Sequence, residues 1–109
     1  MCTLTYVPLE NGAVITANRD ESPLRKATGL VLHETKSAKT FYIAKEPIHG
    51  GTNMAIGKSG AVAVLLNGAF YPHAYNPPYS LSRGLLLLES LECEKLQTFA
   101  SDFDFSGIE

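Results

Sequence analysis

The sequence predicts an α+β fold in which helices pack on an antiparallel sheet. Short β-rich runs separated by turn signals occupy the chain as far as Asn67, whereas helical patterns begin only after Pro77-Pro78. Strands and helices are thus segregated along the chain instead of alternating, which disfavours a doubly wound parallel sheet.

Thr3 to Leu9 and Ala13 to Ala17 flank Glu10-Asn11-Gly12, and Asn-Gly between β-rich runs is a strong hairpin signal. Neither face of this hairpin carries charge, so burial on both faces is expected. Asn18 to Ala27 then breaks the pattern with Asn-Arg-Asp-Glu-Ser-Pro, a polar loop placed where a scaffold can carry chemistry. Leu30 to His33 and Thr40 to Ala44 read as strands around a lysine-rich turn. Gly50-Gly51 precedes another run, Thr52 to Ile56, and Gly57-Lys58-Ser59-Gly60 turns the chain into Ala61 to Leu66. That last run is apolar and short enough to be a buried core strand ending at Asn67. Tyr71, His73, Tyr75 and Tyr79, with Pro72, Pro77 and Pro78, form an aromatic loop. Ser80 or Ser82 then caps a helix carrying Leu81, Leu85 and Leu88 on one face. A second short helix, from about Glu92 to Ala100, presents Leu96 and Phe99.

A chain of 109 residues is one domain at most, and a small one for an enzyme that must enclose a substrate. Its formal charge is −2 with 18% charged residues, and it has no Lys/Arg cluster, so nucleic acid is not an expected partner. Cys2 and Cys93 make neither a disulfide framework nor a metal-ligand set, and no cofactor is assigned. The start lacks a basic region followed by an apolar one, and Leu85 to Leu88 is far shorter than the roughly 20 apolar residues of a bilayer span. A reducing, cytoplasmic location is the expectation.

The most distinctive feature is Cys2, directly after Met1. Removal of Met1 would give one residue both a thiol and a free α-amine. An α-amine titrates at about 7.7–8.0, close enough to neutrality to act as the base for its own thiol. While Met1 remains, that amine is locked in a peptide bond. The plainer alternative is a small buried apolar residue near a strand end.

Met1-Cys2-Thr3-Leu4-Thr5, Asn18-Arg19-Asp20-Glu21, Gly50-Gly51-Thr52 and Leu65-Leu66-Asn67 together resemble the NRDE family, also called the transport and Golgi organisation protein 2 family. Each motif alone is weak. Four in the family's order over nearly the whole chain are specific, and Ser82-Arg83-Gly84 at the helix start agrees. The family is in turn similar to cysteine-type N-terminal nucleophile hydrolases, whose relatives include bile salt hydrolases, penicillin V acylases and acid ceramidase. The resemblance implies the N-terminal portion of an αββα sandwich and cleavage of a non-peptide amide bond. It implies Cys2 as nucleophile, Arg19 beside the thiolate, Asp20 binding the α-amine, and Asn67 donating its side-chain NH₂ to the oxyanion.

Elementary chemistry is compatible with each role. A guanidinium favours a neighbouring thiolate, a carboxylate orients an ammonium, and an amide held at a strand end can meet developing negative charge. Plainer readings stand beside these: Arg19 and Asp20 as a surface ion pair, Glu21 as a loop salt-bridge partner, Asn67 as a strand terminator, His73 as a hydrogen-bonding loop residue, and Cys93 as a buried helix residue. The family's association with membrane traffic also allows a non-catalytic binding protein for a lipid- or haem-like ligand. His49, His73 and the tyrosine loop would then be contacts, although none has a diagnostic ligand spacing.

Two departures from the family pattern bear on function. Asn53 follows Gly-Gly-Thr where the family often has Trp, which removes a large apolar wall. The family pattern also continues past Gly107-Ile108-Glu109 with a further strand, so residues 1–109 are expected to be the N-terminal part of one domain, and a fragment with no activity of its own is a third alternative. Such a half sandwich would expose an apolar sheet face and self-associate.

Overall fold

A computed structural model describes residues 2–68, 71 and 74–108. The expected Pro72 and His73 of the aromatic loop lie outside the described residues, as does the side chain of Leu96. The α+β expectation is met, but with two antiparallel sheets in place of one.

The first sheet is a ribbon of β1 (Thr3–Leu9) and β2 (Gly12–Asn18), paired from Leu9 with Gly12 at the turn to Thr3 with Asn18 at the open end. The turn residues are therefore Glu10 and Asn11, and the positive φ falls on Gly12, which begins the return strand. The expected burial on both faces is corrected: Tyr6, Val7 and Leu9 are 63%, 50% and 57% exposed. No other strand among the described residues pairs with the ribbon, and only Ile15 and Ala17 within it are partly buried.

The second sheet is a meander of β3 (Leu30–Glu34), β4 (Thr40–Ala44), β5 (Met54–Gly57) and β6 (Val62–Val64), in that spatial order. Registers Ile43 with Ala55 and Ala55 with Ala63 put these three on one face. Onto that face pack Leu91 and Leu88 of helix α1 (Arg83–Glu92), with Phe41 completing the core. The opposite face carries Leu32, Tyr42, Ile56 and Val62 in one row across all four strands, and the first three are exposed. A β-strand alternates its side chains, so a sheet apolar on both faces but covered on one leaves the second row in water.

Two expectations about burial shift here. The strand expected over Ala61 to Leu66 pairs only over Val62–Val64, and these residues are half-buried. On α1, Leu87, Ser90 and Leu91 are the buried positions, and Leu81 precedes the helix, where it bridges to Ile108. Ser82 is the N-cap, its hydroxyl accepting from the Leu85 N–H at 3.4 Å. The far end of α1 is tied to the β3–β4 turn. The Lys36 N–H donates to both Glu92 carboxylate oxygens at 3.1 and 2.9 Å, and Lys39 Nζ donates to the Cys93 carbonyl at 2.8 Å. Cys93 is thus a half-buried residue just past the helix, not within it. Helix α2 (Leu96–Asp102) follows, and Phe99, Phe103 and Phe105 cluster with ring centroids 4.6 to 6.0 Å apart. Among the described residues no helix is long and apolar enough to cross a membrane.

Candidate functional site

The ribbon register ends at Thr3 with Asn18, and one residue beyond that pair lie Cys2 and Arg19. Both line a cavity of about 70 Å³, together with Asn67. Three of the four candidate residues are therefore brought to one place by three separate segments: the start of β1, the end of β2 and the stretch after β6. Asp20 is exposed and is not among the residues lining the cavity.

The start of α1, Ser82 to Gly84, also lines the cavity and is seated against Gly51-Thr52. An ideal Cβ on Gly51 would lie 2.9 Å from the backbone of Gly84, and one on Gly84 would lie 3.1 Å from Gly51 Cα and the Thr52 nitrogen. The Thr52 N–H donates to the Gly84 carbonyl at 3.2 Å. The buried Thr52 hydroxyl lies within hydrogen-bonding distance of the Ala44 and Met54 carbonyls, at 3.1 and 2.9 Å, and so locks this segment to β4 and β5. The Gly-Gly-Thr and Ser-Arg-Gly motifs are thus two halves of one backbone contact. Asn53, directly after Gly51-Thr52, also lines the cavity.

The charged lining also holds two residues that sequence reasoning missed, Arg25 and Glu46, beside Arg19 and the expected salt-bridge partner Glu21. Arg19 Nη2 meets the Glu21 carboxylate at 3.2 Å, and Arg25 Nη1 meets the same oxygen at 3.0 Å. Glu21 is therefore the ion-pair partner of Arg19. Arg25 Nη2 in turn lies 3.6 Å from Glu46, whose side chain is only 2% exposed. Glu46 accepts from the Ile48 N–H at 2.8 Å and the His49 N–H at 2.9 Å. Burial is the strongest single influence on its carboxyl and pushes the pKa up. The two N–H donors, with the charges of Arg25 and His49, outweigh it and hold the group below its ordinary value. A lone Glu in the loop after β4 has no periodic signal, so only the position of Glu46 just ahead of the Gly-Gly-Thr motif hinted at it.

Chemically, the cavity combines a thiol, a primary amide and a set of guanidinium and carboxylate groups, with His49 also on its lining. Its small volume suits a reacting functional group better than a whole ligand. A larger groove of about 410 Å³ lies elsewhere, with Phe41, Ala63 and Leu91 among its apolar lining and Cys93 at its side. Among the described residues no cluster of His, Cys, Asp and Glu could hold a metal ion.

A family model described as Transport and Golgi organisation 2 matches residues 1–105. No curated protein and no solved structure gives a significant match.

Proposed function

The chain belongs to the Transport and Golgi organisation 2 family, and on that premise we propose that it supplies the reactive centre of a cysteine-type N-terminal nucleophile hydrolase or acyltransferase acting on a non-peptide amide bond. The observation that supports this is the meeting of Cys2, Arg19 and Asn67 on one small cavity. In this reading residues 1–109 are the N-terminal part of one αββα domain.

The chemistry runs from the thiol. Once Met1 is removed, the α-amine of Cys2 takes the thiol proton, and Sγ attacks the amide carbon, forming the C–S bond. Negative charge develops on the carbonyl oxygen, where the Asn67 NH₂ donates. Collapse breaks the C–N bond, the amine leaves with the proton held by the α-amine, and water or an acceptor amine then cleaves the thioester. Arg19 favours the thiolate before attack, and Asp20 orients the α-ammonium.

The test is thiol chemistry on protein whose Met1 has been removed, checked by intact mass. Cys2 is expected to be alkylated faster than Cys93 at neutral pH. Equal rates, or a Met1 that is never removed, would sink the reading.

A binding role for an apolar, lipid-like ligand is the second reading, favoured by the groove over Phe41, Ala63 and Leu91. It predicts saturable binding of a fluorescent fatty acid that Cys2→Ala leaves unchanged. Self-association through the uncovered apolar rows belongs to the same proposal as the half sandwich.

A further inference from the structure

We propose that Glu46 is a positioning residue that holds Arg19 at the cavity through Arg25 and Glu21. The functional meaning of this rests on Cys2 being the nucleophile; the positioning itself does not.

Two contacts of Arg19 run through Arg25. Arg19 Nη1 donates to the Arg25 carbonyl at 3.4 Å, and Arg19 Nη2 pairs with the Glu21 oxygen that Arg25 Nη1 also holds. Whatever fixes Arg25 therefore fixes the cradle of Arg19. Arg25 ends a single 3₁₀ turn, Pro23–Arg25, in an otherwise irregular loop, and that short turn alone is a weak anchor. Its Nε is buried with no hydrogen-bond partner among the described residues, so its orientation depends on what its two Nη groups meet. One of these partners is Glu21, on the same loop. The other is Glu46, which belongs to the sheet side of the molecule.

Glu46 is suited to be the fixed point. Both its carboxylate oxygens accept backbone N–H groups, its own N–H donates to the Gly51 carbonyl at 2.9 Å, and its carbonyl accepts from Gly50 at 2.8 Å. It is thereby bound into the segment that meets the start of α1. The two N–H donors fix the direction of the carboxylate, so it meets Arg25 as an oriented, charge-assisted partner. The chain Glu46, Arg25, Glu21, Arg19 links the rigid side of the cavity to the ribbon side.

The experiment uses Met1-processed protein and two readouts. The first is the order of the Arg19 guanidinium, from relaxation of its side-chain ¹⁵N signal. The second is the pH dependence of Cys2 alkylation, with Cys93 alkylation and circular dichroism as controls for folding. Glu46→Gln keeps the size of the side chain but loses its charge and turns an NH₂ group toward donors. It is expected to loosen Arg19 and to slow Cys2 alkylation at pH 7 by about threefold. In an Arg19→Ala background, the same change should add nothing, because the two act in series. Arg25→Lys, which keeps a charge but loses the two-pronged contact, should reproduce the effect if Glu46→Gln folds poorly. Unchanged Arg19 order in both variants, or additive effects with Arg19→Ala, would overturn the proposal. Loosened Arg19 with a thiol that ignores Arg19→Ala would uphold the positioning and reject Cys2 as the activated nucleophile.

Discussion

Gly51 and Gly84 meet backbone to backbone, with no room between them for a methyl group on either side. This contact sets the distance between the start of α1 and the segment after Glu46, which together form one part of the cavity lining.

Gly51→Ala should destabilise the protein by about 1–3 kcal/mol, the usual cost of forcing a methyl group into filled space. Gly84→Ala should cost less, because Ala inside a helix recovers about 1 kcal/mol relative to Gly. Thermal unfolding of the two variants gives the order, and equal or reversed losses would mean that the helix start shifts freely.

Cys2→Ala removes one sulfur from a half-buried position, so stability should fall by about 1 kcal/mol or less. Any amidase activity of the complete, processed protein should vanish, since the covalent step has lost its nucleophile. Residual turnover above background assigns the chemistry elsewhere.

Glu46 makes stability depend on pH with a definite sign. Its carboxyl is held below its ordinary value in the folded state. The stabilisation is therefore fully present above the unfolded pKa of about 4.3 and is lost as pH falls through the folded one. Asp104, lowered by the Ser106 N–H and hydroxyl, acts in the same window. The informative comparison is thus wild type against Glu46→Gln: the wild-type melting temperature should fall more steeply between about pH 5 and pH 3. Parallel curves would mean that Glu46 contributes nothing through its charge.

The uncovered row Leu32, Tyr42 and Ile56, with the exposed ribbon, should drive association of the isolated 109-residue chain. Light scattering over a dilution series should show mass falling with concentration. Tyr42→Lys should shift the curve toward monomer, because a charge in the centre of an apolar face opposes its burial. A wild-type monomer throughout the micromolar range would contradict this.

Strand positions from Thr3 to Ala44 are legible because β-rich runs and turn residues alternate there without ambiguity. What the pattern cannot convey is the presence of a second layer: the uncharged ribbon reads as interior, yet it stands exposed. The leucine run from Leu85 to Leu88 is apolar on every side, so periodicity cannot choose a face, and packing on Ile43 and Ala55 selects Leu88 and Leu91. The cavity is legible where motifs mark it, at Cys2, Arg19, Gly51-Thr52 and Asn67. Glu46 and Arg25 escape notice because burial of a single charged loop residue depends on backbone N–H groups whose directions only the folded chain fixes.

The open end of the β1–β2 ribbon has a thermodynamic consequence for anything that reacts there. A lone two-stranded hairpin is marginal in water, so unzipping it costs far less than melting the four-stranded meander. Amide hydrogens of Thr3 to Leu9 should then exchange with solvent well before those of β4. The juxtaposition of Cys2 with Arg19 becomes an equilibrium quantity, and apparent affinity for a cavity ligand scales with the zipped fraction. Whatever braces the ribbon raises that fraction, and so tightens binding without ever touching the ligand.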